Sequence, residues 1–192
     1  MPDTDRERLR ALLSQYSVRF GEFTLASGQK SNVYVDVKQT AYRAEAMPLI
    51  GRLLLEKLAA EGWRPAAVGG LTLGADPIAM AIAHESARTA TSVDAFVVRK
   101  EPKSHGTMRY IEGPVSAPAD VVVLDDVCTT GGSTIKAVER VREAGYRVLG
   151  ALCVVDREMG ARENLAAAGC PLAALYTLSE FSAAERGQSS GT

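Results

Sequence analysis

Val121-Val122-Val123-Leu124-Asp125-Asp126-Val127-Cys128-Thr129-Thr130-Gly131-Gly132-Ser133-Thr134 is the stretch from which the rest of the chain can be read. Val121 to Leu124 is a short β-branched apolar run, the composition of a strand covered on both faces in a parallel sheet. Asp125 and Asp126 then stand where that strand is expected to end, at the carboxyl edge where open α/β sheets bind ligands. Cys128 to Thr134 follows with four hydroxyl residues and two glycines. Glycines let the backbone turn with positive φ and let a ligand approach closely. Consecutive amides in such a turn form an anion nest, and the helix after it adds its positive end. Ser133 or Thr134 is expected to cap a helix over Ile135–Ala144, in which Ile135, Val138, Val141 and Ala144 share a face and which Gly145 stops. The lysine of a P-loop is missing, and so is the G-x-G-x-x-G of a dinucleotide fold. A phosphate cradle with carboxylates just before it fits a phosphorylated sugar, the loop holding phosphate and the acids holding ring hydroxyls. The plainer alternative, an ordinary capped turn, does not explain two acids at a strand end.

Composition sets the outer bounds. The chain has 192 residues, enough for a domain that buries roughly 70% of its unfolded surface. With 46% hydrophobic and 23% charged residues it has the profile of a soluble globular protein. A net charge of −1 gives no reason to expect nucleic acid or a membrane surface as partner, so any anion site must be built locally. Cys128, Cys153 and Cys170 are odd in number and lack metal-ligand spacing, and no signal peptide is evident; reduced thiols in a cytoplasmic protein are expected. No apolar run approaches the ~20 residues of a membrane span.

Along the chain, residues 3–16 read as an amphipathic helix carrying Leu9, Leu12, Leu13 and Tyr16. Residues 20–36 hold two alternating apolar runs around a polar Ser-Gly turn, a hairpin-like pair of strands that forms a small N-terminal hood. Residues 44–60 are helical, and Ala66–Gly70 is a buried strand that breaks into Gly70-Leu71-Thr72-Leu73-Gly74-Ala75-Asp76-Pro77. Asp76 is expected to cap, and Pro77 to start, a helix over Ile78–His84. This second strand–glycine–helix unit offers amides to a second anion, such as a diphosphate, but no basic side chain. The strand Asp94–Val98 runs into Arg99–Arg109, where four cations and His105 surround a Pro and a Gly without helical or strand periodicity. That segment is a loop, read either as a solvated basic loop or as a polycationic lid over a phosphorylated ligand. Val148–Val155 is a further buried strand ending in Asp156-Arg157, and the plain reading of Arg157 is a surface pair with Asp156. Residues 161–168 look helical, 173–178 form a last strand, and 184–192 are expected to be a disordered tail. The whole is an α/β fold: a Rossmann-like parallel β-sheet flanked by helices, in a single domain over 1–183 with its hood in about 1–40.

The 121–134 stretch resembles the motif of type I phosphoribosyltransferases that binds phosphoribosyl pyrophosphate (PRPP): a hydrophobic run, paired acids and a T-T-G-type loop. Three further segments resemble orotate phosphoribosyltransferases: Phe23–Tyr34 (F-T-L-x-S-G-x-x-S-x-x-Y), Arg99–Gly106 (R-K-x-x-K-x-H-G) and Val155–Gly160 (V-D-R-x-x-G). The likeness covers about residues 20–160. It departs from many members at Ala26, where they carry a lysine, and in the 70–77 loop, where some carry Tyr-Lys. The resemblance implies the type I phosphoribosyltransferase fold and transfer of ribose 5-phosphate from PRPP to orotate in pyrimidine synthesis. It implies that Arg99, Lys100, Lys103 and His105 meet pyrophosphate, that Val127, Cys128, Thr129, Thr130, Gly131, Gly132 and Ser133 cradle the 5′-phosphate, and that Asp125 and Asp126 hold the ribose. Lys103 and Asp126 are the expected catalytic residues. Thr129 and Arg157 are expected to orient orotate, Arg157 as a planar bidentate partner for its carboxylate. Mg²⁺ is expected as cofactor, bound through PRPP and water without a protein metal site. The 99–109 loop is expected to be shared across a homodimer. Two alternatives stay open: another acceptor such as a purine, and a PRPP-sensing regulator without turnover, against which the net charge of −1 and the lack of an appended DNA-binding helix pair weigh.

Overall fold

The computed structural model describes residues 4–24, 30–101 and 110–182. Eight strands and six helices follow in the order α1 Asp5–Tyr16, β1 Val18–Thr24, β2 Lys30–Val35, α2 Lys38–Ala41, α3 Met47–Ala60, β3 Ala67–Leu71, α4 Ala75–Ser86, β4 Asp94–Val98, β5 Ile111–Glu112, β6 Asp120–Cys128, α5 Gly132–Glu143, β7 Arg147–Asp156, α6 Ala161–Ala167 and β8 Leu172–Thr177. The central sheet has the order β5-β4-β3-β6-β7-β8. Every pairing in it is parallel except that of the short edge strand β5, which runs antiparallel to β4.

The pleat of β6 shows why its sequence is an unbroken apolar run. Successive side chains of a strand point to opposite faces. Val122 and Leu124 join one buried cluster with residues of α1, α3 and α4, while Val121 and Val123 join a second with Ala137, Val138 and Val141 of α5. Both faces are dry, so both parities must be apolar. Truncating one of these wholly buried aliphatic side chains to Ala would cost roughly 2–5 kcal/mol.

The N-terminal part packs onto the first of these faces. Thr4 and Glu7 form a reciprocal capping box at the start of α1. Leu9 and Leu13 are fully buried beneath that helix. Arg6 lies over the Tyr176 ring at 4.4 Å, and the Tyr176 hydroxyl donates to the Arg6 carbonyl at 2.7 Å, tying α1 to β8. β1 and β2 pair antiparallel as the hood. Its base is fixed by a buried Ser17–Thr40 hydroxyl pair at 2.6 Å and by the Asp36 amide donating to the Ser17 carbonyl at 2.9 Å.

Several boundaries depart from the expectation. β6 continues through Asp125 and Asp126 to Cys128, because β7 pairs with it over its whole length and Cys128 lies opposite Asp156. The cap of α5 is Gly131 in the left-handed conformation (φ 81°), so neither Ser133 nor Thr134 caps it. The helix after β3 begins at Ala75 with Gly74 before it, and Asp76 lies in its first turn without making the expected cap bond. The short helix α2 and the edge strand β5 are too brief to leave a periodic signal. The expected Ser-Gly turn of the hood and the expected tail fall outside the described residues.

Candidate active site

Asp125 and Asp126 are sequence neighbours inside a strand, so the pleat sends their carboxylates to opposite sides of the sheet. Asp125 follows the parity of Val121 and Val123 toward α5. Its Oδ2 accepts from the Ser133 hydroxyl at 2.8 Å and the Thr134 hydroxyl at 2.7 Å, and its Oδ1 accepts from the Asp126 amide at 3.0 Å. The hydroxyls expected to cap the helix are thus spent on this acid. Burial pushes the Asp125 carboxyl up to about 6, against the pull of those hydroxyls and with the help of the Asp126 charge. Asp126 follows the parity of Val122 and Leu124 toward the hood. Its Oδ1 accepts from the Val127 amide at 3.1 Å, and its Oδ2 lies 3.6 Å from the Lys38 ammonium.

Past these acids the chain turns through Thr129 and Thr130 into Gly131. The Asn164 side chain of α6 donates to the Thr130 carbonyl at 2.9 Å and props the turn from outside. The first turn of α5 leaves its amides without intrahelical acceptors, beside the positive end of a 12-residue helix. Glycine, hydroxyl groups and free amides together suit a dianionic phosphate.

The second crossing, from β3 to α4, lies beside the first. A Cβ placed on Gly74 would strike the Asp126 carboxylate, so the missing side chain is what lets the two turns meet. Asp76, at the start of α4, has a buried Oδ1 without a hydrogen-bond partner among the described residues, and burial raises its pKa.

Arg157 follows β7 directly. Its amide donates to the Cys128 carbonyl at 2.8 Å, which places it next to Thr129 at the carboxyl edge. Its side chain does not pair with Asp156, which instead meets Arg162 at 2.8 Å. It reaches the hood, where one terminal nitrogen donates to the Ser31 hydroxyl at 3.3 Å, while its Nε is buried without a partner among the described residues. Burial lowers its pKa. A cavity of about 440 Å³ opens at this point between Arg157, Met159 and the hood residues Lys30 to Val33.

Arg99 and Lys100 leave the end of β4. The Arg99 amide donates to the Tyr110 carbonyl at 2.8 Å, closing the base of the basic loop. Arg140 of α5 donates to the Arg99 carbonyl at 2.7 Å and stacks over the Tyr110 ring at 4.3 Å. Lys100, Ser133, Lys136 and Arg140 line an open cavity of about 600 Å³. Lys103 and His105 lie outside the described residues.

The structure therefore gathers Asp125, Asp126, Val127, Cys128, Thr129, Thr130, Gly131, Gly132, Ser133 and Arg157 at one edge, with Arg99 and Lys100 across the cleft. Sequence reasoning missed Lys38, Ser31, Lys136 and Arg140. Lys136 and Arg140 carry a recoverable signal, since they lie one turn apart on the helix that leaves the phosphate turn. Lys38 carries none beyond standing two residues after an acid.

Comparison with known proteins agrees with this arrangement. Residues 39–168 match the family described as the phosphoribosyl transferase domain. The chain is 47% identical to the orotate phosphoribosyltransferase of Aquifex aeolicus over 92% of its own length and 97% of that protein's. It is 48% identical to that of Thermosynechococcus vestitus, over 93% of each chain. Among solved structures it is similar to Mycobacterium tuberculosis orotate phosphoribosyltransferase in complex with PRPP, at TM-score 0.79 and 38% identity over 93% of this chain and 99% of that one. Among the described residues no helix is long and apolar enough to cross a membrane. A parallel sheet with a glycine–hydroxyl phosphate turn, a guanidinium beside it and this sequence identity lead to one conclusion: the chain belongs to the orotate phosphoribosyltransferases of the phosphoribosyl transferase domain family.

Proposed function

We propose that this chain transfers the ribose 5-phosphate group of PRPP to orotate, giving orotidine 5′-phosphate and pyrophosphate in UMP synthesis. The observation that carries the reading is the juxtaposition of the Thr129–Ser133 turn with Arg157, joined through the Cys128 carbonyl. One offers amides to a phosphate, the other a half-buried fork of donors to a planar carboxylate. In this reading the amides of Val127–Ser133 hold the 5′-phosphate. Thr129 and Arg157 orient orotate, and Lys30 on the cavity wall adds positive charge beside it. A C–N bond to the base forms as the C–O bond to pyrophosphate breaks. The sugar passes through an oxocarbenium-like state whose charge Asp126 stabilises, with Asp125 supporting the turn and the ribose hydroxyls. Arg99, Lys100, Lys103 and His105 neutralise the leaving pyrophosphate, Lys103 as the principal donor.

No group of three or more His, Cys, Asp or Glu residues could hold a metal among the described residues, and the carboxylate oxygens of Asp125 and Asp126 already face protein donors. Mg²⁺ would then be held by PRPP and water and not by these side chains, and it would supply charge neutralisation to the leaving pyrophosphate. Three buried cysteines without a disulfide support a reducing, cytoplasmic compartment. The protein works as a homodimer that shares the 99–109 loop between subunits. Mixing Lys103→Ala with Asp126→Asn chains should then restore activity, and verified heterodimers that stay inactive would refute sharing.

The test of function is a direct assay with PRPP and Mg²⁺, following loss of orotate absorbance together with pyrophosphate release. Adenine and hypoxanthine serve as competing acceptors. Turnover of orotate alone is expected. Turnover of a purine in its place would reassign the acceptor, and PRPP binding without pyrophosphate release would make the chain a sensor.

A further inference from the structure

We infer that Lys38 is a positioning residue for the transfer, holding the Asp126 carboxylate from the hood side of the site. The inference rests on the reading of Asp126 given above. The Lys38 ammonium lies 2.7 Å from Asp36 Oδ1 and 3.6 Å from Asp126 Oδ2. The side chains of Asp36 and Asp126 are only 15% and 13% exposed, whereas that of Lys38 is 39% exposed. An exposed ion pair contributes little, with a median of roughly 0–1 kcal/mol. Here, however, two nearly buried acids converge on one cation, and neither has another basic partner in reach among the described residues. A carboxylate withdrawn from water needs such compensation.

The geometry around Asp126 leaves its free oxygen little choice. The Val127 amide takes Oδ1, and Gly74 abuts the carboxylate closely enough to forbid a side chain there. Lys38 supplies the remaining contact, from the first residue of α2. That helix is itself pinned: Thr40 pairs with Ser17 at 2.6 Å, and the Asp36 amide donates to the Ser17 carbonyl at 2.9 Å. Asp36 holds the ammonium, the ammonium holds Asp126, and the hood base thereby sets the rotamer of an acid on the central sheet. Burial alone would lower the pKa of Lys38, but its two acidic neighbours outweigh that and raise it, so the cation persists through the working pH range. The contact crosses from the hood to the phosphate strand, a place where a small displacement of a reacting group has large kinetic effects.

The experiment compares Lys38→Met, Lys38→Gln, Lys38→Arg and Asp36→Asn with wild type in steady-state kinetics, with thermal unfolding measured on each. Lys38→Met and Lys38→Gln should lower kcat by roughly ten-fold, the scale of a lost supporting contact. KM for orotate should stay within about two-fold, because Arg157 and its cavity are untouched. Lys38→Arg should recover most of kcat, and Asp36→Asn, which keeps the cation but frees it, should fall between. Wild-type kcat in either neutral variant would overturn the assignment, as would Lys38→Arg losing as much as Lys38→Met, since that pattern marks packing and not charge. A parallel rise in KM for orotate would also overturn it. These outcomes presuppose wild-type turnover of orotate; its absence would fall on the proposed function itself, before Lys38 is considered.

Discussion

Two strand-to-helix crossings lie side by side in this molecule, and they meet the same geometrical demand with different materials. β6 enters α5 through side chains: Asp125 takes hydroxyl bonds from Ser133 and Thr134, and Asn164 braces the turn. β3 enters α4 through a run in which three of six residues are glycine and none is charged, Gly69-Gly70-Leu71-Thr72-Leu73-Gly74, followed by the Asp76 carboxylate, whose buried oxygen has no hydrogen-bond partner among the described residues. The first crossing presents chemistry, and the second presents space. They are joined where Gly74 makes room for Asp126. The first crossing thus supplies hydroxyls and carboxylates, and the second supplies the room at Gly74 that lets the two turns meet.

The sharpest way to break that contrast is to neutralise the two acids of β6 separately. Asp126→Asn keeps shape and removes the charge on the hood side, so kcat should fall by ~10²–10³, the scale of one lost transition-state interaction. Asp125→Asn should cost far less, because its carboxylate faces the hydroxyls of its own turn. Equal losses in kcat for the two variants would mean that the pleat does not separate their roles.

Arg157→Ala comes next in size. Charge-assisted hydrogen bonds are worth about 1.5–3 kcal/mol, or roughly 10–100-fold, and KM for orotate should rise by that factor with KM for PRPP nearly unchanged. Similar rises for both substrates would move Arg157 out of the base site and blur the division between the phosphate turn and its flank.

Much of this was legible in the chain itself. The parallel sheet followed from Val121–Leu124 and its counterparts, because strands buried on both faces must be apolar at every position. The glycine–hydroxyl turn followed from its composition, whereas Arg157 entered only through the V-D-R-x-x-G resemblance, its plain reading as a partner of Asp156 being overturned by the Asp156–Arg162 pair. What escaped depended on where a strand stops. With β6 ending at Leu124 the two acids read as one pair, whereas a strand running to Cys128 divides them between faces. Lys38 escaped for a related reason: its partner is 88 residues away, and only the packed hood brings them together. The role of Gly74 is not a property of glycine's own conformation, since its φ and ψ of −63° and −44° suit any residue. It is a steric allowance for a distant side chain, which no local pattern encodes.

That allowance gives a paired prediction of smaller size. Gly74→Ala meets the movable end of a side chain, so the fold should survive while kcat drops by roughly ten-fold as Asp126 is displaced. Gly70→Ala instead meets the backbone carbonyl of Leu124. It should cost stability, about 1–3 kcal/mol or more as for other overpacked cores, visible as a lower Tm. A Gly74→Ala enzyme of full activity would show that the second crossing does not constrain the first.

The smallest effect concerns pH and isolates Asp125. Burial first, and the neighbouring Asp126 charge with it, raise this carboxyl from 3.8 to about 6 in the folded chain. An acid whose folded pKa is raised holds its proton while the unfolded chain has already lost it. Its contribution to stability is therefore fully present below about pH 4, declines as pH rises toward 6, and stays lost above that. Asp125→Asn keeps a neutral acceptor for Ser133 and Thr134 at every pH. The Tm of the variant relative to wild type should thus rise between pH 4 and pH 7, on the order of a few degrees for a chain of this size. Carboxylates remote from Asp125 are common to both proteins and cancel in the difference, which therefore reports Asp125 together with its interaction with Asp126. A difference that stays flat across this range would mean that Asp125 is ionised throughout, and that the hydroxyls of the phosphate turn outweigh its burial.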